Sequence, residues 1–530
     1  MKRILYTLAL IAITISYAWA QSFQSDGLYH NITDSENKTV EVTNDPQNNY
    51  DYIVGKLVIP ETTIIDNETY TVTAIGEWAF VNCLNITEIN LPEKITHIGY
   101  AAFDKCTNLE NVYLNEGLTE IGEMAFEGCS ALQKITLPKS LTTLSNMAFE
   151  GCSSIKDIVL PENITYIGDM AFNGCKSLTS ITIPQNVTHI GDNAFDECTS
   201  LAEINVSPNN KTFTSENGIL FDAGKSKLIQ YPIGKGTTSY DIPNSVTSIG
   251  NSAFTGCTTL EDINFSNNLT HIGDYAFYNC SALKNPVFPE SLTDIGICAF
   301  SFCNSITEIN LPQNIQNIGM LAFAGSTALE SIYLPENNPN YSTEDGVLFN
   351  ADKSTLLLFP AGKTSKNYTI PENVTTIGDG AFIYCPLITA ITLPEGITTI
   401  GESAFADCAA LTQMTVLASI PPKALQSSFD DSFRDIPIYV PAEAIEAYRS
   451  ANVWMEFNLQ TLDTRIQTAK LPEYIQIGNR QLYNPNGLHL DIFDLQGRIV
   501  FNGTETTVSL PEGIYIVRCK GMSYKVTISK

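Results

Sequence analysis

Residues 91–106 read LPEKITHIGYAAFDKC, and variants of this phrase return along the chain every 23 residues. Self-similarity with a period of 20 to 29 residues predicts a solenoid in which each repeat forms one strand-bearing coil. An aliphatic residue followed by glycine marks the centre of eleven coils, and Ser145 fills a twelfth grid point. The grid glycines are Gly76, Gly99, Gly122, Gly168, Gly191, Gly250, Gly273, Gly296, Gly319, Gly378 and Gly401.

With the grid position as zero, each neighbouring position keeps one residue type. Position −4 is aliphatic, −1 is Ile or Leu, +3 is Ala and +4 is Phe. Positions +10 to +15 follow the pattern Leu-x-x-Ile-x-Leu, which predicts the strand that pairs with the next coil in a parallel sheet. We expect the grid glycine to let the chain turn without a Cβ penalty. The opposite face is predicted to consist of irregular or short helical arcs.

Eleven of the thirteen cysteines occupy position +7, and Ser326 alone breaks the column. In an exported protein, cysteines often indicate disulfides. Side chains that repeat in register roughly 5 Å apart point in parallel and rarely meet disulfide geometry. The spacing therefore favours a column of buried thiols, with bridging between neighbouring coils as the alternative.

Two gaps interrupt the grid. Gly191 to Gly250 and Gly319 to Gly378 each span 59 residues, which is 23 plus 36. The two inserted stretches resemble each other, since GILFDA at 218–223 corresponds to GVLFNA at 346–351. We predict a duplicated unit of one long and three short coils, with each insertion adding a hairpin or an extra coil. Such insertions often lie on a binding face, although duplication alone explains them equally well.

The repeated pattern resembles the BspA-like leucine-rich repeats of bacterial surface proteins over about residues 70–420. The resemblance implies a leucine-rich-repeat solenoid that is mostly β, with an N-terminal cap at 21–72. The repeats would then occupy 73–416 with two 36-residue insertions, and a C-terminal cap would occupy 417–462.

Residues 463–530 are predicted to hold a linker and a small C-terminal β domain. Alternating strands broken by glycine turns carry this prediction, with LDIFDLQGRIV at 490–500 and GIYIV at 513–517. These motifs and the closing Lys530 resemble the C-terminal sorting domain of the type IX (Por) secretion route of Bacteroidetes. The resemblance implies contact with that secretion machinery and attachment at the outer-membrane surface. A terminal cap is the alternative interpretation.

Residues 1–20 have the pattern of a signal peptide. Lys2 and Arg3 precede an apolar run at 4–15, and Ala18-Trp19-Ala20 offers a cleavage site. The run is too short for a membrane span. We therefore expect an exported protein, either extracellular or attached to the outer-membrane surface.

Charge and motif spacing argue against several functions. A formal net charge of −28 disfavours nucleic acid and anionic lipid as partners. His97, His189 and His271 share the variable position −2, and the first two lie roughly 19 Å apart, too far to share a metal ion. We predict no catalytic, cofactor-binding or metal-binding residues and no enzymatic activity.

The outward positions of the predicted strands are the candidate binding surface, with a solvated surface as the alternative for any single residue. We predict a non-enzymatic adhesion protein that binds host matrix, receptors or other bacteria along this face. A surface protein that captures carbohydrate and a structural surface-layer component are the alternatives. The candidate partner-binding residues at +14 are Asn90, Tyr113, Thr136, Thr182, Asn205, Asn264, Asn310 and Tyr333.

Overall fold

The computed structural model describes residues 23–47, 50, 52–429, 435–462, 475–478, 481–484, 487–494, 498–519 and 522–528. The predicted signal peptide (1–20) and the linker segment 463–474 lie outside the described residues. Within the described part, strands dominate and are accompanied by one α-helix and three short 3-10 helices.

Six strands open the chain: β1 (Phe23–Ser25), β2 (Leu28–Asp34), β3 (Thr39–Thr43), β4 (Gly55–Val58), β5 (Thr62–Ile65) and β6 (Glu68–Ile75). β1 to β3 pair antiparallel, and β3 then pairs in parallel with β6. The fully buried Tyr50 closes this end of the core, since its hydroxyl donates to the Thr43 carbonyl and accepts from the Tyr29 N–H. β6 runs across the predicted cap boundary at residue 72, so the sheet of this segment continues into the repeats.

Most regular coils contribute two strands at fixed phases. Strands around +12 to +14 pair in parallel from coil to coil, for example Ile89 with Val112, which confirms the predicted sheet. Two-residue strands at −2 and −1 form a second parallel sheet, in which Ile98 pairs with Ile121. We call these surfaces the wide-strand face and the narrow-strand face. The first block contains β7 (Ile86–Asn90), β8 (His97–Ile98), β9 (Asn111–Tyr113), β10 (Glu120–Ile121), β11 (Lys134–Thr136), β12 (Thr143–Leu144), β13 (Tyr166–Ile167), β14 (Ser180–Ile183), β15 (His189–Ile190) and β16 (Glu203–Val206).

The phenylalanines at +4 form a continuous stack inside this block. From Phe80 to Phe195, neighbouring ring centroids lie 5.3 to 5.9 Å apart, and the ring planes are within 11° of parallel. Stacked aromatic pairs contribute about 0.5–1.5 kcal/mol each beyond the burial of their area. The stack therefore ties each coil to its neighbours along the axis.

The grid glycines are required for a different reason from the expected turn. A Cβ on Gly191 would lie 2.3 Å from the Asp169 nitrogen, and a Cβ on Gly122 would lie 2.7 Å from the Ile98 oxygen. Successive coils thus approach too closely at these glycines for a side chain, although the coil at Ser145 accommodates one. The left-handed backbone lies instead at +2 and +6, as at Met124 (φ 56°) and Gly128 (φ 66°).

The cysteines at +7 are buried thiols. Most of their S–H groups donate to the carbonyl of the phenylalanine 26 residues earlier, one coil back, as from Cys106 to Phe80 at 3.1 Å. The Ser326 hydroxyl makes the same bond to the Phe300 oxygen at 3.0 Å, so a hydroxyl can replace the thiol in this column. Burial raises the pKa of the Cys198 thiol to about 12.

Each insertion adds a hairpin and a short coil together. The first comprises β17 (Phe213–Glu216), β18 (Ile219–Asp222), β19 (Lys227–Gln230), a 3-10 helix (Ile233–Lys235) and β20 (Ser239–Asp241). β17 to β19 form an antiparallel meander. β19 and β20 then pair in parallel with the following coil, β19 on the narrow-strand face and β20 on the wide-strand face.

The next coils and the second insertion repeat this plan. The coils contain β21 (Ser248–Ile249), β22 (Asp262–Asn264), β23 (His271–Ile272), β24 (Asp294–Ile295), β25 (Glu308–Asn310), β26 (Asn317–Ile318) and β27 (Ser331–Tyr333). The second insertion holds β28 (Tyr341–Glu344), β29 (Val347–Asn350), β30 (Thr355–Leu358) and β31 (Asn367–Thr369). Both insertions interrupt the sheets, and the buried residues fall into successive clusters, with Leu220 in the first and Phe221 in the second.

The repeats end with β32 (Thr376–Ile377), β33 (Ala390–Leu393), β34 (Thr399–Ile400) and β35 (Gln413–Val416). A 3-10 helix (Gln426–Ser428), β36 (Pro437–Pro441), helix α1 (Ile445–Ser450), a 3-10 helix (Trp454–Glu456) and β37 (Asn458–Leu462) follow. β36 and β37 extend the wide-strand face in parallel. The buried Trp454 indole N–H donates to the Pro422 carbonyl at 2.8 Å, which fastens this end to the last coils.

The C-terminal region forms a small antiparallel β unit, as predicted. It contains β38 (Gln476–Gly478), β39 (Gln481–Tyr483), β40 (Leu490–Phe493), β41 (Ile499–Gly503), β42 (Thr507–Ser509), β43 (Gly513–Cys519) and β44 (Met522–Ile528). β43 pairs with both β40 and β44, and its Val517 lies in a separate buried cluster. The domain boundaries given above remain predictions.

Candidate functional site

The predicted partner-binding residues lie on the wide-strand face. Asn90, Thr136, Thr182, Asn264 and Asn310 are exposed, and Asn205 is half-buried. The Tyr113 and Tyr333 side chains are 40% and 49% exposed, which is large for aromatic residues. Because the period of a strand is two, the neighbours of each residue in its strand point into the core.

The structure brings these residues together in three groups. Asn90 pairs with Tyr113, and Tyr113 pairs with Thr136, in neighbouring strands. Thr182 pairs with Asn205. In the third group, Asn264, Val287, Asn310 and Tyr333 follow one another across four coils. The coil that contains Val159 separates the first two groups, and the first insertion separates the second from the third.

Two exposed valines belong to the same column and were not among the candidate residues. Val159 and Val287 are 81% and 82% exposed. A groove of about 570 Å³ lies beside Val159, between Thr136 and Pro161. An apolar residue in an otherwise polar outward column is the sequence signal that could have found them. At Val287 the preceding Pro286 removes a ladder N–H, so that only isolated bridges form there.

A cation lies against one of the tyrosines. The Lys134 Nζ atom is 5.9 Å from the centroid of the Tyr113 ring, one coil away. Such contacts contribute roughly 0.5–1 kcal/mol at exposed sites. This first group therefore combines an exposed aromatic ring, amide and hydroxyl groups and one positive charge.

The insertions create two equivalent clefts at the narrow-strand face. In the first cleft, 190–195 form one wall and Phe213, Lys227, Gln230 and Asn251 lie on the other, enclosing about 260 Å³. In the second cleft, 318–323 face Tyr341, Leu357, Leu358 and Asp379, enclosing about 250 Å³. Corresponding lining residues lie 128 positions apart, so the clefts are copies with different side chains.

A buried carboxyl group belongs to the coil that forms the first cleft. Asp196 is 8% exposed, and its Oδ1 atom has no hydrogen-bond partner in the described part of the chain. Burial raises the pKa of Asp196 to about 7, despite hydrogen bonds from Ser252 and Gln230, and the nearby Glu197 adds to the rise. The corresponding residue at the second cleft is Ala324.

The histidines at −2 lie on the narrow-strand face. His97 Nδ1 is 3.6 Å from Glu120 Oε2, and His189 stacks on Tyr166 with centroids 4.6 Å apart. Among the described residues, no group of three or more His, Cys, Asp or Glu is placed to hold a metal ion. No helix in the described part of the chain is both long and apolar enough to cross a membrane.

A long solenoid with regular ladders of outward side chains defines the class of repeat proteins that use an extended surface. Residues 61–156, 119–218, 234–344 and 359–480 match the family model described as a BspA type leucine rich repeat region with six copies. The chain belongs to this BspA-type leucine-rich repeat family. No curated protein matches it in sequence.

Several solved structures are similar to the chain. A leucine rich cell surface protein from Faecalibacterium prausnitzii is 26% identical with a TM-score of 0.45, over 75% of this chain and 94% of that one. A leucine-rich repeat protein from Bacteroides ovatus is 27% identical with a TM-score of 0.42, over 79% and 99%. The pneumococcal vaccine antigen PcpA is 18% identical with a TM-score of 0.48, over 84% and 99%.

Proposed function

We propose that this is a non-enzymatic protein of the bacterial surface that binds an extracellular macromolecule through its wide-strand face. The observation that carries the proposal is the exposed ladder of Asn90, Tyr113 and Thr136 on paired parallel strands. The partner would be a host matrix protein, a receptor or a protein on another bacterium. Membership of the BspA-type family supports an interaction role.

The rigidity of the ladder favours binding without rearrangement. Each strand is fixed by its neighbours and by the stacked core beneath it, so its outward side chains are already in place before a partner arrives. Preorganisation of this kind lowers the entropic cost of association. Aromatic residues such as Tyr113 suit the centre of a protein interface, whereas amide and hydroxyl groups suit its polar rim.

The test is a binding screen of residues 21–530 against matrix proteins and glycans, followed by surface variants. For a protein partner, Tyr113→Ala and Thr136→Arg should each weaken binding at least tenfold, about 1.4 kcal/mol. Thr143→Arg adds the same charge on the narrow-strand face and serves as the control, because it should leave binding unchanged. Equal binding by all three variants would exclude the group of Asn90, Tyr113 and Thr136 as the binding site and so contradict the proposal.

We also propose that the C-terminal β unit directs the chain through type IX secretion. Two of its matching motifs support this proposal: Asp494 Oδ2 accepts from the Arg498 Nε–H at 2.7 Å, and Gly513–Cys519 forms a strand between β40 and β44. Residues 495–497 of the first motif and the closing Lys530 lie outside the described residues. Deletion of 475–530 in a host that has this route should abolish surface display and retain the protein in the periplasm. Display at an unchanged level would contradict the proposal.

A further inference from the structure

The first cleft presents backbone N–H groups that the regular coils use for coil-to-coil bonds. In the preceding coil, the N–H groups at +2 and +4, those of Met170 and Phe172, donate to Asp192 and Ala194 at 3.0 and 2.9 Å. The equivalent N–H groups of Asn193 and Phe195 have no acceptor among the described residues. Asn193 is half-buried, and the equivalent N–H groups of Leu321 and Phe323 at the second cleft also have no acceptor among the described residues. Because every backbone N–H is a strong donor, both clefts offer these groups to an acceptor from outside the chain.

A third donor lies at the edge of the narrow-strand sheet. Ile190 belongs to β15, the last strand of its sheet, and its neighbour Gly191 already donates back to the Ile167 carbonyl at 2.9 Å. In a parallel ladder the groups of adjacent residues alternate between the two sides of the strand, so the Ile190 N–H faces the cleft.

The second cleft shows which chemical group fits against this donor. There the Ile318 N–H donates to the hydroxyl oxygen of Tyr341 at 2.9 Å. The residue that corresponds to Tyr341 in the first cleft is Phe213, which has no hydroxyl group. The same backbone N–H thus donates to a hydroxyl oxygen of its own chain in one copy and lacks that acceptor in the other.

The lining of the first cleft is also more polar than that of the second. Asp192, Asn193 and Gln230 in the first cleft replace Met320, Leu321 and Leu358 in the second. The amides both donate and accept, and the Asp192 carboxylate accepts. In the regular coils an aspartate at this position accepts from the next coil, as Asp169 does from the Asp192 N–H at 2.9 Å. The insertion removes that following coil at Asp192.

We propose that the first cleft binds a single neutral sugar residue. One sugar hydroxyl accepts from the Ile190 N–H, as the Tyr341 hydroxyl accepts from the Ile318 N–H in the second cleft. Sugar hydroxyls also donate to the Asp192 carboxylate and to the side-chain amide oxygens. A cleft of about 260 Å³ is smaller than the roughly 300–1,000 Å³ of drug-sized sites, which suits one ring. Lys227 and Asp192 both line the cleft, so the lining carries no strong net charge. This site is independent of the proposed protein-binding face.

The test uses glucose, galactose, mannose and N-acetylglucosamine as probes at millimolar concentration, with saturation-transfer NMR and amide exchange at 190–195 as readouts. At least one probe should bind and slow exchange of the Ile190 amide. Phe213→Tyr adds the hydroxyl that Tyr341 supplies in the second cleft, so the Ile190 N–H would be occupied. This variant should weaken sugar binding at least tenfold, with an equal or higher melting temperature. Gln230→Leu introduces the residue type of Leu358 in the second cleft and should also weaken sugar binding.

Two controls keep the proposal falsifiable. Tyr341→Phe exposes the donor in the second cleft but leaves its apolar walls, so it should not create sugar binding. Thr136→Arg on the wide-strand face should leave sugar binding intact, which separates this site from the proposed adhesion surface. Absence of binding by all four probes, or undiminished binding by folded Phe213→Tyr and Gln230→Leu proteins, would overturn the proposal.

Discussion

The two insertions have the same backbone plan and different chemistry. In both, an antiparallel meander leads into a short coil, and each cleft begins at the last narrow strand before the gap. The first holds Asp192, Asp196 and Gln230 where the second holds Met320, Ala324 and Leu358. The comparison teaches that the fold depends on the residues common to both copies, whereas the lining has been free to diverge. Site-resolved amide exchange can measure each insertion separately, which matters because repeat proteins need not unfold in one step.

The largest and most equal effects are expected in the shared core. Phe221 and Phe349 are both fully buried in the second strand of their meanders. Phe221→Ala and Phe349→Ala should each destabilise the local structure by about 3–5 kcal/mol, because each removes a large side chain and leaves a cavity. Amide exchange should accelerate to the same extent at 219–222 and 347–350. A clearly unequal pair would show that the insertions do not share one core plan.

A pH dependence should separate the two insertions. Since the pKa of Asp196 is about 7 in the folded protein and ordinarily 3.8, the folded state holds the proton more tightly than the unfolded state. The stability of this junction should therefore be greatest below pH 4, fall on the order of 4 kcal/mol as the pH rises through 7, and level off above about pH 8. Asp196→Asn should abolish the change, and exchange at 318–325, where Ala324 replaces the acid, should not show it. A pH-independent first junction in the wild-type protein would contradict the assignment.

Removal of the Tyr341 hydroxyl should reduce the local stability of the second insertion moderately. Tyr341→Phe leaves the Ile318 N–H without its acceptor and should cost about 1 kcal/mol, with roughly fivefold faster exchange of that amide. Phe213→Tyr is the matched gain and should slow exchange at Ile190. If neither substitution alters exchange, then the two clefts do not differ through this hydroxyl.

The smallest effects are expected at an ion pair that both copies share. Lys225 contacts Glu216 at 2.7 Å, and Lys353 contacts Glu344 at the corresponding place. All four side chains are at least a third exposed, so Lys225→Ala and Lys353→Ala should each cost no more than about 1 kcal/mol. High salt should reduce both effects. If only one of the two substitutions lowered the local stability strongly, then that ion pair would have a role that the other copy lacks.

The sequence predicted the parts of the fold that depend on residue type. The phenylalanine and cysteine columns were visible because a buried position in a stacked coil accepts few side chains. The narrow strands were not visible, since a pair such as His97 and Ile98 is too short to show alternation. The reason for the grid glycines was also missed, because contact between the backbones of successive coils leaves no trace in a single repeat.

The candidate site was predicted only in part, for a related reason. Position +14 was identified as outward, and Tyr113 and Tyr333 are indeed exposed. The division into three groups depends on where the pairing of the wide strands is interrupted. The residues around Val159 contain no sequence signal for such an interruption. The clefts arise from bonds that the regular coils make and the insertions omit, so they appear only when three-dimensional neighbours are compared.

The cysteine column links the course of folding to the exposure of thiols to oxidation. In the folded chain the thiols are hydrogen-bonded and buried, and burial keeps the pKa of Cys303 at about 12, so little reactive thiolate forms. Before the coils close, the same cysteines are ordinary thiols of pKa near 8.5, spaced along an extended chain and open to oxidation. Coils that contact only their neighbours can close one after another. Each closure withdraws one more thiol from oxidants, so the speed of propagation sets how long the chain is vulnerable.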